Sequence, residues 1–199
     1  MLDSGAGRLH VGLVAPPWTP TSAWIRADAA TLTRTPYRLV IDTAHTRLLV
    51  FREGRLQFCA PAGLGSSEQP TPLGHHFVVL LAQSPNPGYG PFVIVTSTPT
   101  GAHVDWQQDG RPIITIAGPL DTDAAIGATG ARITKGSVRL HAADLARLRD
   151  LPAGTPIDVV TDLQLQRTTG SGKYRHQAHQ DAVNQLCQPS TPTPTPTRP

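Results

Sequence analysis

Short apolar runs separated by turn residues dominate the pattern between Tyr37 and Val160. The runs are YRLVIDT, TRLLVF, RLQFCA, HHFVVLLA, PFVIVTST, PIITI and PIDVV, and most are bounded by Gly, Pro, Ser or Asn. Runs of this length and composition are typical of the strands of an antiparallel or mixed sheet. The pattern therefore predicts a mainly β fold, either a sandwich or a barrel.

Two neighbouring runs are predicted to form a hairpin. TRLLVF and RLQFCA flank the tripeptide Arg52-Glu53-Gly54. Two apolar β runs on either side of a short turn that contains glycine are a hairpin signal. We expect a tight turn at this tripeptide.

One segment has the periodicity of a helix. In LHAADLARLRDL the side chains of Leu140, Leu145, Leu148 and Leu151 fall near a single stripe. The following LPAGT is a stop signal, because proline and glycine end helices. We expect one helix, packed at the side of the β structure.

The chain divides into three parts. Its 199 residues are enough for one domain with a substantial core. Residues 1–35 are too short for a domain and are predicted to be a partial N-terminal segment, whereas residues 36–162 form the predicted domain. Residues 163–199 are polar and end in TPTPTPTRP, which predicts a disordered tail.

Charge and hydropathy argue against two kinds of partner. The net charge is +3, but the basic residues are scattered and do not alternate with aromatic residues, so we expect no nucleic-acid binding. No apolar run is long enough to cross a membrane, and MLDSGAGRLHVG lacks the charged and apolar regions of a signal peptide. We expect a monomer.

The chain has two cysteines, for which no disulfide framework is predicted. Cys59 lies within a strand-like run and is interpreted as a small buried hydrophobic residue, whereas Cys187 lies in the polar tail. The motif HQAH, at residues 176–179, adds histidines near Cys187, but its spacing matches no closed zinc site. We therefore expect no metal and no other cofactor.

Five segments in a fixed order resemble one known family. They are YRLVIDTAHTRLLVFREGRL, QPTPLGHHFVV, ITIAGPL, ITKGSVRL and GTPIDVV. The order and distances are similar to those of the catalytic domain of L,D-transpeptidases, the YkuD-like enzymes that cross-link peptidoglycan through an active-site cysteine. The resemblance implies the family's β sandwich or barrel with one helix at the side, and a location in the cell envelope or outside the cell. The lack of a signal-peptide pattern in the given sequence leaves the cytoplasm as the alternative location.

The resemblance also implies a site, which this sequence alters. In the family a cysteine thiolate attacks a carbonyl of a peptidoglycan stem peptide, a histidine acts as general base, and backbone amides stabilise the oxyanion. Here Ser137 occupies the nucleophile position, Ala117 stands at the position of the histidine of Ile-His-Gly, and Lys135 replaces the histidine of Ser-His-Gly-Cys. Lys135 is the candidate base for Ser137.

Three residues match the family and are candidates for substrate binding. They are Gly118, Gly136 and Arg139. Gly136 would allow a sharp backbone turn before Ser137. Two roles are possible for Arg139: it would either bind a carboxylate of the substrate or donate hydrogen bonds to carbonyl groups of the turn.

Three functions follow as hypotheses. The first is a catalytically impaired L,D-transpeptidase-like protein of cell-wall biogenesis that keeps the fold and a groove for stem peptides. The second is a weak acyltransferase or peptidase that uses Ser137 and Lys135. The third is a non-catalytic interaction module in which the Pro/Thr tail acts as a spacer.

Overall fold

A computed structural model describes residues 3–15, 19–84, 86–99, 113–128, 130–163 and 187. Strands account for most of the described secondary structure. The strands are β1 (Asp3–Gly5), β2 (Arg8–Ala15), β3 (Thr19–Arg26), β4 (Tyr37–Asp42), β5 (Arg47–Arg52), β6 (Arg55–Pro61), β7 (Leu64–Gly65), β8 (Gly74–Gln83), β9 (Phe92–Pro99), β10 (Ile113–Ala117), β11 (Arg132–Thr134), β12 (Val138–Arg139) and β13 (Pro156–Val160).

Eight of these strands form one mixed sheet, which confirms the predicted mainly β fold. Its order is β12-β10-β9-β8-β13-β4-β5-β6. The pairs β13–β4 and β10–β12 are parallel, and the other neighbours are antiparallel. The sheet curls, so that backbone hydrogen bonds link Gly63, just after β6, to Arg139 of β12 at the other end of the strand order.

The predicted hairpin is present as β5 and β6. Arg52 pairs with Arg55, which leaves Glu53 and Gly54 as a two-residue turn. Both turn residues have positive φ values, 51° and 75°. This conformation matches the right-handed twist of the flanking strands and is easy for glycine.

The predicted leucine stripe is confirmed, although the helix itself is shorter than the pattern. Helix α1 spans only Ala142–Ala146. The amides of the next three residues, Arg147 to Arg149, donate to carbonyls three positions back, so the chain tightens into turns. The leucines of the stripe nevertheless pack into the main core: Leu140, Leu145, Leu148 and Leu151 are at most 6% exposed.

The remaining strands form two small sheets. Strands β1, β2 and β3 form an antiparallel sheet at the N-terminus, and β3 contacts β9. Strands β7 and β11 pair in parallel, which places the segment that leads to Ser137 beside Leu64 and Gly65. In the described ranges no helix has the length and apolar character needed to cross a membrane.

The prediction that Cys59 is a buried thiol without a disulfide was wrong. Cys59 of β6 is bonded to Cys187, with 5.1 Å between the two Cα atoms. The two cysteines are 128 positions apart, and no local pattern in the sequence indicates that they are close in space. Of the predicted disordered tail, Leu163 and Cys187 are described; the HQAH motif lies outside the described residues, and the sulfur of Cys187 is not a free thiol.

Candidate functional site

The loop between β11 and β12 is held by its own threonine. The Thr134 hydroxyl donates to the carbonyl of Ser137 at 2.6 Å and accepts from the N–H of Gly136 at 3.1 Å. A side-chain hydroxyl that bonds backbone groups two and three positions away fixes a tight turn. Thr134 therefore sets the direction of the backbone before Ser137.

Gly136 is required in this loop for two physical reasons. Its φ is 107°, a conformation that side chains with a Cβ rarely adopt. A Cβ at this position would also lie 2.7 Å from Cδ1 of Ile114. The sharp turn expected from the sequence is confirmed.

Ser137 is buried, and its hydroxyl is already engaged by β10. The residue is 5% exposed. The Oγ accepts the N–H of Thr115 at 3.3 Å and lies 3.4 Å from the Thr115 hydroxyl. Within the described part of the chain, these are the hydrogen-bonding groups that reach the Ser137 Oγ.

Ala117, at which the resemblance predicts the place of a histidine, lies close to this contact. Ala117 and Thr115 are two residues apart on β10 and so point to the same face of the sheet. Ala117 is fully buried, and its methyl group has no lone pair with which to accept a proton. None of the described histidines lines the cavity at this face.

Lys135 lines the same cavity as Ser137 but remains exposed. No hydrogen bond or ion pair of its side chain is found among the described residues. A lysine that acts as a base in catalysis is withdrawn from water by burial, and the side chain of Lys135 is not. In this arrangement Lys135 supplies positive charge at the rim of the cavity.

Arg139 is held at the cavity through both its backbone and its side chain. Its backbone is held by two hydrogen bonds to Gly63, of 2.8 and 2.9 Å. Its guanidinium carbon lies 4.3 Å from the centre of the Tyr89 ring, a cation–π contact. Burial lowers the pKa of Arg139, an effect that Tyr89 and Asp121 oppose. No carboxylate of the described residues forms an ion pair with it.

Gly118 explains how Tyr89 reaches Arg139. The N–H of Gly118 donates to the carbonyl of Tyr89 at 2.8 Å. A Cβ on Gly118 would lie 2.8 Å from the carbonyl carbon of Tyr89, which no real contact allows. The glycine therefore lets the Tyr89 segment pack directly against the end of β10, under the guanidinium group.

These residues surround a cavity of about 320 Å³. It combines hydroxyl groups, the partly buried guanidinium of Arg139, the exposed side chain of Lys135 and the exposed carboxylate of Asp121. With two basic groups against one acidic group, such a lining suits a polar ligand that carries a carboxylate better than it suits an apolar one. The lining includes Tyr89, Thr115, Ala117, Lys135, Ser137 and Arg139.

Comparison with known proteins decides the family. A sequence model of the L,D-transpeptidase (YkuD) catalytic domain matches residues 36–159. The chain belongs to the L,D-transpeptidase catalytic-domain family. No curated protein sequence matches it significantly.

Solved structures similar to this chain come from several bacteria. An L,D-transpeptidase from Mycobacterium smegmatis is 16% identical, with a TM-score of 0.49, over 70% of this chain and 63% of that one. Bd1075 of Bdellovibrio bacteriovorus is 18% identical, with a TM-score of 0.49, over 76% and 55%. An L,D-transpeptidase from Mycobacterium tuberculosis H37Rv is 16% identical, with a TM-score of 0.47, over 70% and 61%. The chain thus covers less than two thirds of these structures.

The sequence predicted Ser137, Lys135, Ala117 and Arg139 as site residues of this L,D-transpeptidase-like domain, and all four line the same cavity. Gly118 and Gly136 lie beside it and shape its backbone. Two further groups were missed. Thr115 could have been found, since it alternates with Ala117 along β10. Tyr89 carried no local signal, because its contact with Arg139 joins residues 50 positions apart.

Proposed function

We propose that this protein is a non-catalytic L,D-transpeptidase-like protein of peptidoglycan biogenesis. Residues 36–162 would bind stem peptides in the cavity beside Arg139 without transferring them, in the cell envelope or outside the cell. The observation that carries the proposal is the state of Ser137. Its hydroxyl is buried and bonded to Thr115, and no base of the described residues contacts it.

Acyl transfer by Ser137 would need a group that removes the hydroxyl proton. A serine hydroxyl is a weak nucleophile at neutral pH unless a neighbouring base activates it. The position at which the family carries its histidine is occupied by Ala117. Losing the thiol and the base together removes two members of a set that acts as a unit, so their combined loss is not offset by the intact loop.

Binding depends on different groups, and these are retained. A guanidinium group that has been partly withdrawn from water gains more from a carboxylate partner than an exposed one does. Arg139 has this character, and Lys135 adds positive charge at the rim. Stem peptides carry free carboxylates, so the cavity offers them a complementary charge even where no bond is made or broken.

The second candidate is a weak Ser-Lys acyltransferase or peptidase that acts on the same stem peptides. The observation in its favour is that Lys135 and Ser137 line one cavity, so a movement of the lysine side chain could bring the two groups together. If that enzyme exists, Lys135→Ala abolishes turnover while Ser137→Ala does the same. Under the proposal, neither variant changes a turnover that is already absent.

The binding proposal is tested by calorimetric titration with a stem tetrapeptide. We expect measurable affinity for the unaltered protein and at least a tenfold weakening for Arg139→Gln, because a charge-assisted hydrogen bond contributes about 1.5–3 kcal/mol. Arg147→Gln is the matched control, since Arg147 also stacks on an aromatic ring, that of Phe58, but lies outside this cavity. Equal affinities for the two variants, or no binding by the folded protein, would refute the proposal.

A further inference from the structure

A second cavity lies between the β4–β5–β6 end of the eight-stranded sheet and the turns that follow α1. Its volume is about 170 Å³, against about 320 Å³ for the cavity beside Ser137. The two cavities share no lining residue. A ligand of the second cavity would therefore be small and would leave the first cavity free.

Part of the lining of this second cavity is apolar. Val50 of β5 and the leucines Leu148 and Leu151 line it, and each is at most 6% exposed. All three belong to the main core. The cavity is thus an opening at the edge of the core, and the polar groups of its lining decide which ligand can enter.

Two arginines of the lining are held over aromatic rings. Arg52 ends β5, and its guanidinium carbon lies 5.5 Å from the centre of the Tyr37 ring. Arg147 follows α1, and its guanidinium carbon lies 3.5 Å from the centre of the Phe58 ring. Both are cation–π contacts, which use the face of the guanidinium group and leave the N–H donors at its edges for acceptors.

These donors have little acidic company. Among the residues that the structure describes, Arg52 forms no ion pair. The ion pair of Arg147 with Asp144 spans 3.8 Å from Nη1 to Oδ1, which is too long for a hydrogen bond. Arg52 and Arg147 are both exposed, so an anion from solution can reach them.

The charges of the lining favour an anion. Asp150, also exposed, is the acidic residue of this lining, so two guanidinium groups face one carboxylate. A carboxylate ligand offers two oxygens, which a single guanidinium fork occupies. A phosphate monoester offers three terminal oxygens and a charge between −1 and −2, so it can accept from two guanidinium groups at once.

We propose that this cavity is a second ligand site, which binds a small phosphate monoester between Arg52 and Arg147. The apolar part of the lining packs against the short carbon body of the ester. The site binds its ligand without making or breaking a bond. The inference does not depend on the proposed function, because the stem peptide is assigned to the other cavity.

The first experiment tests the site and its ligand class. The full chain, labelled with ¹⁵N, is titrated with glycerol 3-phosphate, and amide chemical shifts are followed by NMR. We expect saturable shifts around Arg52 and Arg147, with an affinity at least about tenfold higher than for acetate, because the phosphate gains a further charge-assisted hydrogen bond. Glycerol is the control without an anion. No saturable shift around these two residues would overturn the site, and equal affinity for acetate would overturn the choice of phosphate.

The second experiment tests the two arginines. Arg52→Gln and Arg147→Gln should each weaken the binding of glycerol 3-phosphate at least about tenfold. Arg55→Gln is the matched control: it removes the same charge from the strand opposite Arg52, but Arg55 does not line the cavity, so its affinity should stay within about twofold. Circular dichroism confirms that each variant is folded, and Arg52→Gln decides alone if Arg147→Gln is not. Equal affinities for Arg52→Gln and Arg55→Gln would show only a general attraction to basic surface.

Two further variants distinguish recognition from structural support. Arg52→Lys keeps the charge but loses the planar fork, so its affinity should lie between those of the unaltered protein and Arg52→Gln. Asp150→Asn removes a like charge beside the ligand and should tighten binding by about threefold. A residue with a purely structural role would not tighten binding when it is altered. Weaker binding by folded Asp150→Asn would contradict a phosphate bound beside this carboxylate.

Discussion

Two regions of the molecule use their central residue differently: the loop around Ser137, and an apolar cluster beside Cys59 that we call the outer cluster. The outer cluster consists of Val40, Leu49, Phe51 and Val160. In the loop, Thr134 and Gly136 fix a tight turn before Ser137, and no base of the described residues contacts the Ser137 hydroxyl. Beside the outer cluster, a cysteine is present, but its sulfur is bonded to Cys187 and its surroundings are apolar. The loop has a fixed backbone around a hydroxyl that no described base contacts. The cysteine beside the outer cluster instead forms a cross-link.

The residues that shape a site and the residues that react in it are under separate constraints. Glycines that permit close backbone approach, such as Gly118 beside Tyr89, are constrained by packing and so are tied to the fold. A nucleophile and its base are constrained only by the reaction. Under the proposed function, this domain keeps the residues that folding and binding require and lacks those that acyl transfer requires.

The largest expected effect concerns the outer cluster. Cys187→Ser should lower the free energy of unfolding by about 4 to 5 kcal/mol, because the bond closes a long loop in the unfolded chain. The melting temperature should fall by about 10 °C or more. Urea and thermal unfolding would measure both quantities, with Cys59→Ser and the unaltered protein in reductant as controls. If all three match the oxidised protein, the bond has no structural role.

The next largest effect is expected when a thiol and a base are introduced at the loop. Ser137→Cys combined with Ala117→His should be acylated by a carbapenem at least about 100-fold faster than Ser137→Cys alone, since a positioned general base contributes that much. Time-resolved intact mass would give the rates, and Ala117→His alone serves as the control without a thiol. Identical rates for the single and double cysteine variants, with both folded, would mean that the loop no longer aligns the two positions.

A smaller effect is expected from adding a Cβ at the turn before Ser137. Gly136→Ala should lower the free energy of unfolding by about 2 to 3 kcal/mol, because it adds both backbone strain and a clash with Ile114. Gly130→Ala is the matched control, with a φ of 71° but no atom within 4 Å of the added Cβ, and should lose about 1 kcal/mol. Equal losses in urea unfolding would show that the contact with Ile114 relaxes without cost.

The smallest effect is electrostatic and lies on β13. Asp158 is paired with Arg38 and His75, each at 2.5 Å. Burial favours a higher pKa for Asp158, but the hydrogen bonds from His75 and Arg38 outweigh it, so the pKa is lowered. A lowered pKa stabilises the fold above the carboxyl's unfolded pKa, and this stabilisation is lost as the pH falls through the folded pKa.

Asp158→Asn should therefore lower the free energy of unfolding by only about 1 kcal/mol at pH 7. The effect is small because Arg38 and His75, the two partners of the carboxylate, are largely exposed to water. The difference from the unaltered protein should shrink below about pH 4. Urea unfolding at a series of pH values measures it. A difference that is independent of pH would assign the loss to packing and not to charge.

Much of the fold could be predicted from local sequence patterns. The β5–β6 hairpin, the leucine stripe around α1 and the turn at Gly136 depend on residues close in sequence, and each was predicted from its own segment. The length of helix α1 was not predicted, because the buried leucines pack equally well when the chain after Ala146 forms tighter turns. Propensity fixes such ends less well than it fixes the buried face.

Contacts between distant residues account for what was missed. The Cys59–Cys187 bond joins a strand to a polar segment whose composition suggested no partner. The stacking of Arg139 on Tyr89 and the contact between Ser137 and Thr115 likewise join different strands and turns. Family resemblance named the positions of the cavity, but only the folded chain shows which groups hold them.

The most direct test of the central claim is the intact mass of the purified protein after incubation with a carbapenem and, separately, with a stem tetrapeptide. An active L,D-transpeptidase with its cysteine is labelled in parallel. We expect an unchanged mass for this protein in both incubations, because no base of the described residues contacts Ser137. A covalent adduct that maps to Ser137 would contradict it and would show a working acyl-transfer site.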